Sequence, residues 1–564
     1  MRRADPRARI GIRLGLVTEG RRDRVALAAL AALAVVALAS RLLFRIDYDE
    51  DIDALRFALG VERFDVAALR PHAPYYPVVI AAAKGLALLG ATPRGALALV
   101  SAAAGAATVV FTALIAREVA GRRAAAFAGI LALASPFLWL SSQKLLSDMA
   151  GAAGTTAALW LCARAQRLRR EAAAAAPATP GVAPAGEIAL AEGRGARMRT
   201  WALVLLGAGL GVRLSYFPIA LACLAVIARG EGGRAAWLAR GRDLAAGALA
   251  WLAPLVLIAP PRDLVATTWV QGVGHFTRWG GTAITVSSPL DRIHGVIWGI
   301  WANGLGGAWP DAPPARWLGA PLLAALLAAA GAVRESAAPL RRVARAAREQ
   351  PELWASALAY FAWALLGQNT AYKPRHWLPL IPLLVVALAA GAAALSRTAP
   401  AAAHRRALRD GAPVAIVAAL AAQWLADAIS LARQHQAPSP AAAIVGFLRD
   451  AGGDRRPVVT RDLDRMILEG APGRRAVRVR SDLELVRAVE QAGPGGALIT
   501  SEALSREARG ALAARGYAIS LRFARPRSRY VDALWSDLAL LEVRRAEPLA
   551  SQAHSPPLRG APSR

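Results

Sequence analysis

Apolar windows of roughly 16–22 residues recur along this chain, about the length a helix needs to cross a hydrocarbon layer. Backbone inside lipid must satisfy its own hydrogen bonds, so a chain built from such windows is confined to a helical bundle across the bilayer. Composition agrees, since 56% of the 564 residues are hydrophobic, more than a soluble domain usually carries. The chain reads as a polytopic α-helical membrane protein.

The formal net charge of +29 raises the question of nucleic acid. Most arginines, however, fall in short loops between apolar windows, the positive-inside pattern, and no aromatic-interleaved basic stripe accompanies them. Nucleic acid is therefore excluded as a partner. The two cysteines, Cys162 and Cys223, fall inside membrane windows and form no CxxC pair, so neither a disulfide framework nor a cysteine metal site is expected.

Loop charge sets the expected path. Residues 1–24 form a basic cytoplasmic lead, and 25–44 run outward as a helix retained in the mature chain, with no cleavage site after it. Windows 96–116 and 124–140 are joined by the basic stretch 117–123, assigned to the cytoplasm. Residues 45–95 then stay outside, and 78–89 is a juxtamembrane or re-entrant helix. Basic loops 164–199, 229–242, 334–348 and 397–409 fall inside, the first as a disordered Ala/Pro/Gly-rich linker. Loops 141–148, 260–316 (rich in Trp) and 368–376 fall outside. The path gives about eleven spans within a membrane domain over 25–430, among them 201–214, 218–227 and 317–333. Residues 441–546 alternate strand and helix patterns, which predicts a small, mainly parallel α/β domain outside the membrane. It carries no GxGxxG or P-loop, and 547–564 read as a disordered tail.

Five carboxylates lie within 47–53, directly after the first window. A solvated loop at a helix end has the same composition, and Asp47, Asp51 and Asp53 are read that way. Other polar clusters fall on the same side, however: His72 to Pro77 with Lys84, Lys144 to Asp148, Lys373 to His376, and Arg213 at a helix end. Only Lys84, Lys144 and Lys373 are lysine, and all three fall on this side. Carboxylates opposite such cations suit one reaction class. A carboxylate acts as general base toward a hydroxyl, and cations stabilise a leaving phosphate. A cationic groove beside the bilayer suits a lipid-linked phosphate donor.

Tyr48-Asp49-Glu50, His72-x-Pro74-x-Tyr76-Pro77, Leu146-Ser147-Asp148 and Lys373-Pro374-Arg375-His376-Trp377 follow one another in an order that resembles the GT-C superfamily of membrane glycosyltransferases. The branch most similar is that of bacterial protein O-mannosyltransferases and lipid A aminoarabinose transferases, over residues 24–429. The resemblance implies inverting transfer of a sugar from a polyprenyl-phosphate donor to an acceptor hydroxyl on a lipid, glycan or protein. It implies a multi-pass enzyme of the bacterial inner membrane, with its site and C-terminal domain extracytoplasmic. Carried onto this chain, it makes Asp49 the general base, with Glu50 and Asp148 as catalytic partners. Lys144, Arg213, Lys373, Arg375 and His72 would bind the donor phosphate, and Tyr48, Tyr76 and His376 would contact sugar or acceptor. No cofactor is assigned beyond a divalent cation that Asp49 and Asp148 could share. The chain departs from the aminoarabinose branch at Ala73, where a basic residue precedes the loop proline.

Two other classes remain open from sequence. A transporter or flippase of lipid-linked saccharides would place its charges nearer the bilayer midplane and often repeat its halves. An O-antigen-type ligase or polymerase would rely on Arg and His without the early Asp-Glu pair.

Overall fold

The computed structural model describes residues 6–175, 185–279, 281–285, 288–306, 348–370, 373–395, 403–532 and 534–546. They form two compact units, one of Met1–Asp49 with Asp53–Ala437, the other of Pro438–Arg564 with Glu50–Ile52.

The larger unit is helical, as its apolar windows require. In chain order come α1 (Pro6–Leu43), α2 (Ile52–Glu62), α3 (Pro77–Leu88), α4 (Pro93–Ala120), α5 (Arg122–Ala134), α6 (Pro136–Ser141), α7 (Asp148–Ala175), α8 (Ala185–Leu210), α9 (Phe217–Glu231), α10 (Gly233–Ile258) and α11 (Pro261–Gly274). Helices Pro351–Gly367, Ile381–Leu395 and Ala403–Gln436 follow. Among the described residues, six stretches are long and apolar enough to cross a membrane. The expected eleven spans differ from that count for identifiable reasons. The window 317–333 lies outside the described residues. The window 124–140 is broken at Ser135-Pro136 into α5 and α6, because proline cannot donate to the preceding turn. The short helix expected at 78–89 is α3, of 12 residues.

The expected linker 164–199 needs correction. Helix continues in α7 to Ala175 and resumes at Ala185, with 176–184 outside the described residues. Alanine, leucine and arginine are strong helix formers, and here the arginines find partners. Arg164 and Arg167 each lie 3.3 Å from the buried carboxylate of Glu118.

Small residues let helices approach closely. A Cβ on Gly207 of α8 would strike the Leu244 carbonyl of α10, and one on Gly247 of α10 would strike the Val204 carbonyl of α8. Trp251 fixes the same pair by donating from Nε1 to the Gly207 carbonyl at 3.0 Å.

The second unit holds a five-stranded sheet ordered β2-β1-β3-β5-β4, with β1 Val458–Thr460, β2 Ala476–Arg478, β3 Ala497–Thr500, β4 Tyr517–Ala524 and β5 Ala539–Arg545. β1 runs parallel to β2 and β3, while β5 is antiparallel to both β3 and β4. The expected mainly parallel sheet is thus parallel on one side only. β4 escaped the sequence reading because its half-exposed residues follow an Ala/Arg-rich helix without a strong apolar run. In the same unit, Ser439 Oγ donates to the Glu50 carbonyl at 2.8 Å. The buried Arg527 guanidinium lies 4.0 Å from the Glu50 carboxylate.

Candidate functional site

Helix α2, the loop before α3, the start of α7, the turn after α8 and the turn at Pro374–Leu380 surround a cavity of about 470 Å³. α2 buries Phe57, Ala58 and Val61 against Tyr76, Val79 and Ile80. That packing leaves Asp53 and Arg56, one turn apart, lining the cavity. Asp148 occupies the first turn of α7, where the helix dipole favours a carboxylate. Arg213 has an extended backbone just before the 3-10 turn Leu214–Tyr216. Its guanidinium reaches Asp148 at 2.8 Å and donates to Ser147 Oγ at 3.2 Å.

The turn carrying Lys373, Arg375 and His376 is held from behind. Fully buried Trp377 donates to the Gly295 carbonyl at 3.2 Å, and Tyr360 donates to the His376 carbonyl at 2.8 Å. So positioned, Arg375 donates to Asp53 at 2.9 Å, and Lys373 Nζ lies 3.6 Å from the same carboxylate. Arg56 stands 3.9 Å and His72 Nδ1 3.7 Å from Asp53. His72 Nε2 lies 3.1 Å from the Tyr76 hydroxyl.

These contacts fix the protonation states. Burial disfavours charge on Asp53, but the charges of Lys373, Arg375 and Arg56, joined by His72 when its ring is protonated, more than offset it and hold the carboxyl well below its usual range. Burial pushes the His72 imidazole down to about 4; Asp53 opposes that shift, and Arg56, Lys373 and Arg375 add to it. At neutral pH His72 is therefore an uncharged hydrogen-bonding group. Burial raises the Tyr76 phenol to about 12, so it stays protonated.

The structure gathers His72, Tyr76, Asp148, Arg213, Lys373, Arg375 and His376 of the expected set around this cavity. The expected base, Asp49, stands apart from this cavity. Asp49 receives Arg94 Nε at 3.0 Å and Nη2 at 2.6 Å and is not among the lining residues. The first-loop carboxylate that enters is Asp53, read from sequence as a solvated helix-start charge. Asp49 precedes α2, whereas Asp53 sits in its first turn and shares the inward face with Arg56 and Phe57. Glu50 belongs to the other unit, against Arg527. Tyr48 donates to the His435 carbonyl at 2.6 Å, and half-buried Lys144 is likewise not a lining residue. Each carboxylate of the suggested cation pair faces an arginine, Asp49 with Arg94 and Asp148 with Arg213. No cluster of three His, Cys, Asp or Glu forms among the described residues. Gln271, His275, Gln368 and Asn369 also line the cavity. Sequence reasoning passed over the first two because nothing set them apart within a Trp- and Gly-rich loop.

An apolar groove of about 830 Å³ adjoins the polar cavity, walled by Trp251, Leu255, Leu264, Val265 and Trp269 among others. Pro74, Leu214, Thr268, Gly272 and Phe276 line both spaces. Consecutive tyrosines divide between them. Tyr75 and Tyr76 both have positive φ, 72° and 47°, an unusual pair for residues with side chains. Tyr75 turns to the groove and bonds the Leu264 carbonyl at 3.0 Å and Thr268 Oγ1 at 2.8 Å, while Tyr76 turns to His72.

No family model matches the chain. No curated protein matches it either. Solved structures do. ArnT from Cupriavidus metallidurans, bound to undecaprenyl phosphate, aligns over 93% of this chain and 99% of its own, at 16% identity and a TM-score of 0.50. An oligosaccharyltransferase from Archaeoglobus fulgidus, tethered to an acceptor peptide, aligns over 84% of this chain and 68% of its own, at 14% identity and a TM-score of 0.49. With the ArnT match spanning nearly the whole of both chains, this protein shares the fold of that structure.

Proposed function

We propose that the protein is a membrane glycosyltransferase that moves a sugar from a polyprenyl-phosphate carrier to an acceptor hydroxyl, with inversion, on the extracytoplasmic face of a bacterial inner membrane. The observation that carries this reading is the shared wall between a cationic, carboxylate-bearing cavity and an apolar groove. One ligand with a phosphate head and a long hydrocarbon tail would fill both. The structure of similar fold from C. metallidurans holds undecaprenyl phosphate, a molecule of this kind.

The chemistry follows from the charges. Lys373, Arg375 and Arg213 bind the donor phosphate, and the first two leave Asp53 as they do so. Losing their compensation raises the Asp53 carboxyl from its depressed value and makes it a competent base. The acceptor oxygen forms a bond to the anomeric carbon, its proton passes to Asp53, and the carbon–oxygen bond to phosphate breaks. The leaving polyprenyl phosphate keeps its charge against Arg213, Lys373 and Arg375. Asp148 is a positioning residue that aims Arg213, and neutral His72 with Tyr76 orients the sugar.

The test is transfer of radiolabelled sugar from polyprenyl-phosphate donors in membranes containing wild type, Asp53→Asn or Asp49→Asn at equal protein level. The expected result is loss of at least a hundredfold in Asp53→Asn, the scale on which a general base acts, with Asp49→Asn retaining activity. Loss in Asp49→Asn alone would return the base to Asp49. No transfer by wild type, with the labelled lipid moving across vesicles, would replace the enzyme by a flippase.

A further inference from the structure

A second polar cavity, of about 570 Å³, lies at the other end of α7. Asp148 opens this helix in the candidate site, and Arg170, 22 residues on, lines the second cavity. At about 1.5 Å per residue the two stand roughly 33 Å apart along the axis, close to the ~30 Å of a hydrocarbon core. A bilayer crossed over that length would set the second cavity at the interface opposite the candidate site. α4, which is apolar and long enough to span, ends at Ala120 on the same cavity.

The lining has a marked charge imbalance. Among the described residues, Arg117, Arg122, Arg164, Arg167 and Arg170 stand against Glu118, Glu171 and Glu349, a net of +2. Glu118 is engaged by Arg164 and Arg167, each at 3.3 Å, Glu171 accepts from Arg167 at 2.6 Å, and Arg170 lies 3.3 Å from Glu349. These pairs hold Arg167 in place before any ligand arrives. The α4–α5 joint turns at Gly121, whose φ of 90° suits a residue without a side chain. That turn brings the start of α5, which no side chain caps, to the cavity wall.

We propose that this cavity binds the headgroup of an anionic phospholipid of the opposite leaflet. Its phosphate lies among Arg117, Arg122, Arg167 and Arg170, and its acyl chains lie along the apolar span of α4. Basic recesses between membrane helices at this depth are suited to such headgroups, and a net of +2 favours an anionic lipid over a zwitterionic one. The site makes no use of the transfer chemistry proposed above, so either can fail alone.

The test uses the full chain in detergent micelles, with thermal unfolding followed as lipid is added. Phosphatidylglycerol should raise the midpoint roughly 2–4 °C more than phosphatidylcholine. The variant Arg117→Gln/Arg122→Gln should lose most of that difference, and Arg117→Lys/Arg122→Lys should keep it. Should the glutamine pair not fold, Arg170→Gln, on a half-exposed side chain, must lose at least half of the difference for the proposal to stand. An equal rise from inorganic phosphate at the same concentration would make this a soluble-anion site and overturn the lipid. An undiminished difference in the glutamine variants would overturn the site itself.

Discussion

His72 gives the cavity a pH signature. Its ordinary value is 6.5 and its value in the fold about 4, so between these the unfolded chain binds the extra proton. Stability therefore rises with pH across pH 4 to 6.5, by no more than about 3 kcal/mol, and the contribution is lost as pH falls through that window. Thermal midpoints measured across it should slope upward, and His72→Gln should flatten the slope. Asp53 titrates below the window, because its neighbours hold it there. Arg375→Ala should destabilise by roughly 2 kcal/mol, since Lys373 and Arg56 remain to offset part of the buried charge. Combined with Asp53→Asn the loss should be smaller than the sum, a coupling that a double-mutant cycle would read. The cations of this site were legible because they interrupt apolar sequence. Which of Asp49 and Asp53 lines the cavity was not. Five carboxylates in a short run look alike, and the first turn of α2 decides which one faces inward.

Elements show a similar division. The helix-forming bias of 164–199 was visible in its alanines, but its arginines read as linker until Glu118 supplied a partner. The contact between α8 and α10 could not be read at all, because a glycine means close approach only once the facing helix is known. It makes a sharp prediction. Gly247→Leu should force the two helices apart and cost about 1–3 kcal/mol as overpacking does, seen as a lowered midpoint. Tyr75→Phe removes the bonds to Leu264 and Thr268 and should cost about 1–2 kcal/mol, because two partners are left without a donor or acceptor.

Across the whole molecule, which loops share a helix end was the most legible property. Residues assigned to the inner side pair with one another: Glu118 with Arg164, Arg199 with Glu231, and Arg240 with both Glu231 and Asp243. Those assigned to the outer side do likewise, as Asp53 with Arg375 and Asp148 with Arg213 show. Charge counting groups loops by helix end, but it does not report where a helix breaks, so the number of spans was less accessible than that grouping. The partition of the chain carries a consequence for inheritance. Because Glu50–Ile52 belongs with Pro438–Arg564, the smaller unit is discontinuous and cannot be exchanged between relatives by a single crossover. A chimera that replaces 438–564 alone strands Glu50 without the Ser439 hydroxyl and the Arg527 guanidinium. A graft that carries 50–52 from the same parent should accumulate to higher levels in membranes than one that does not.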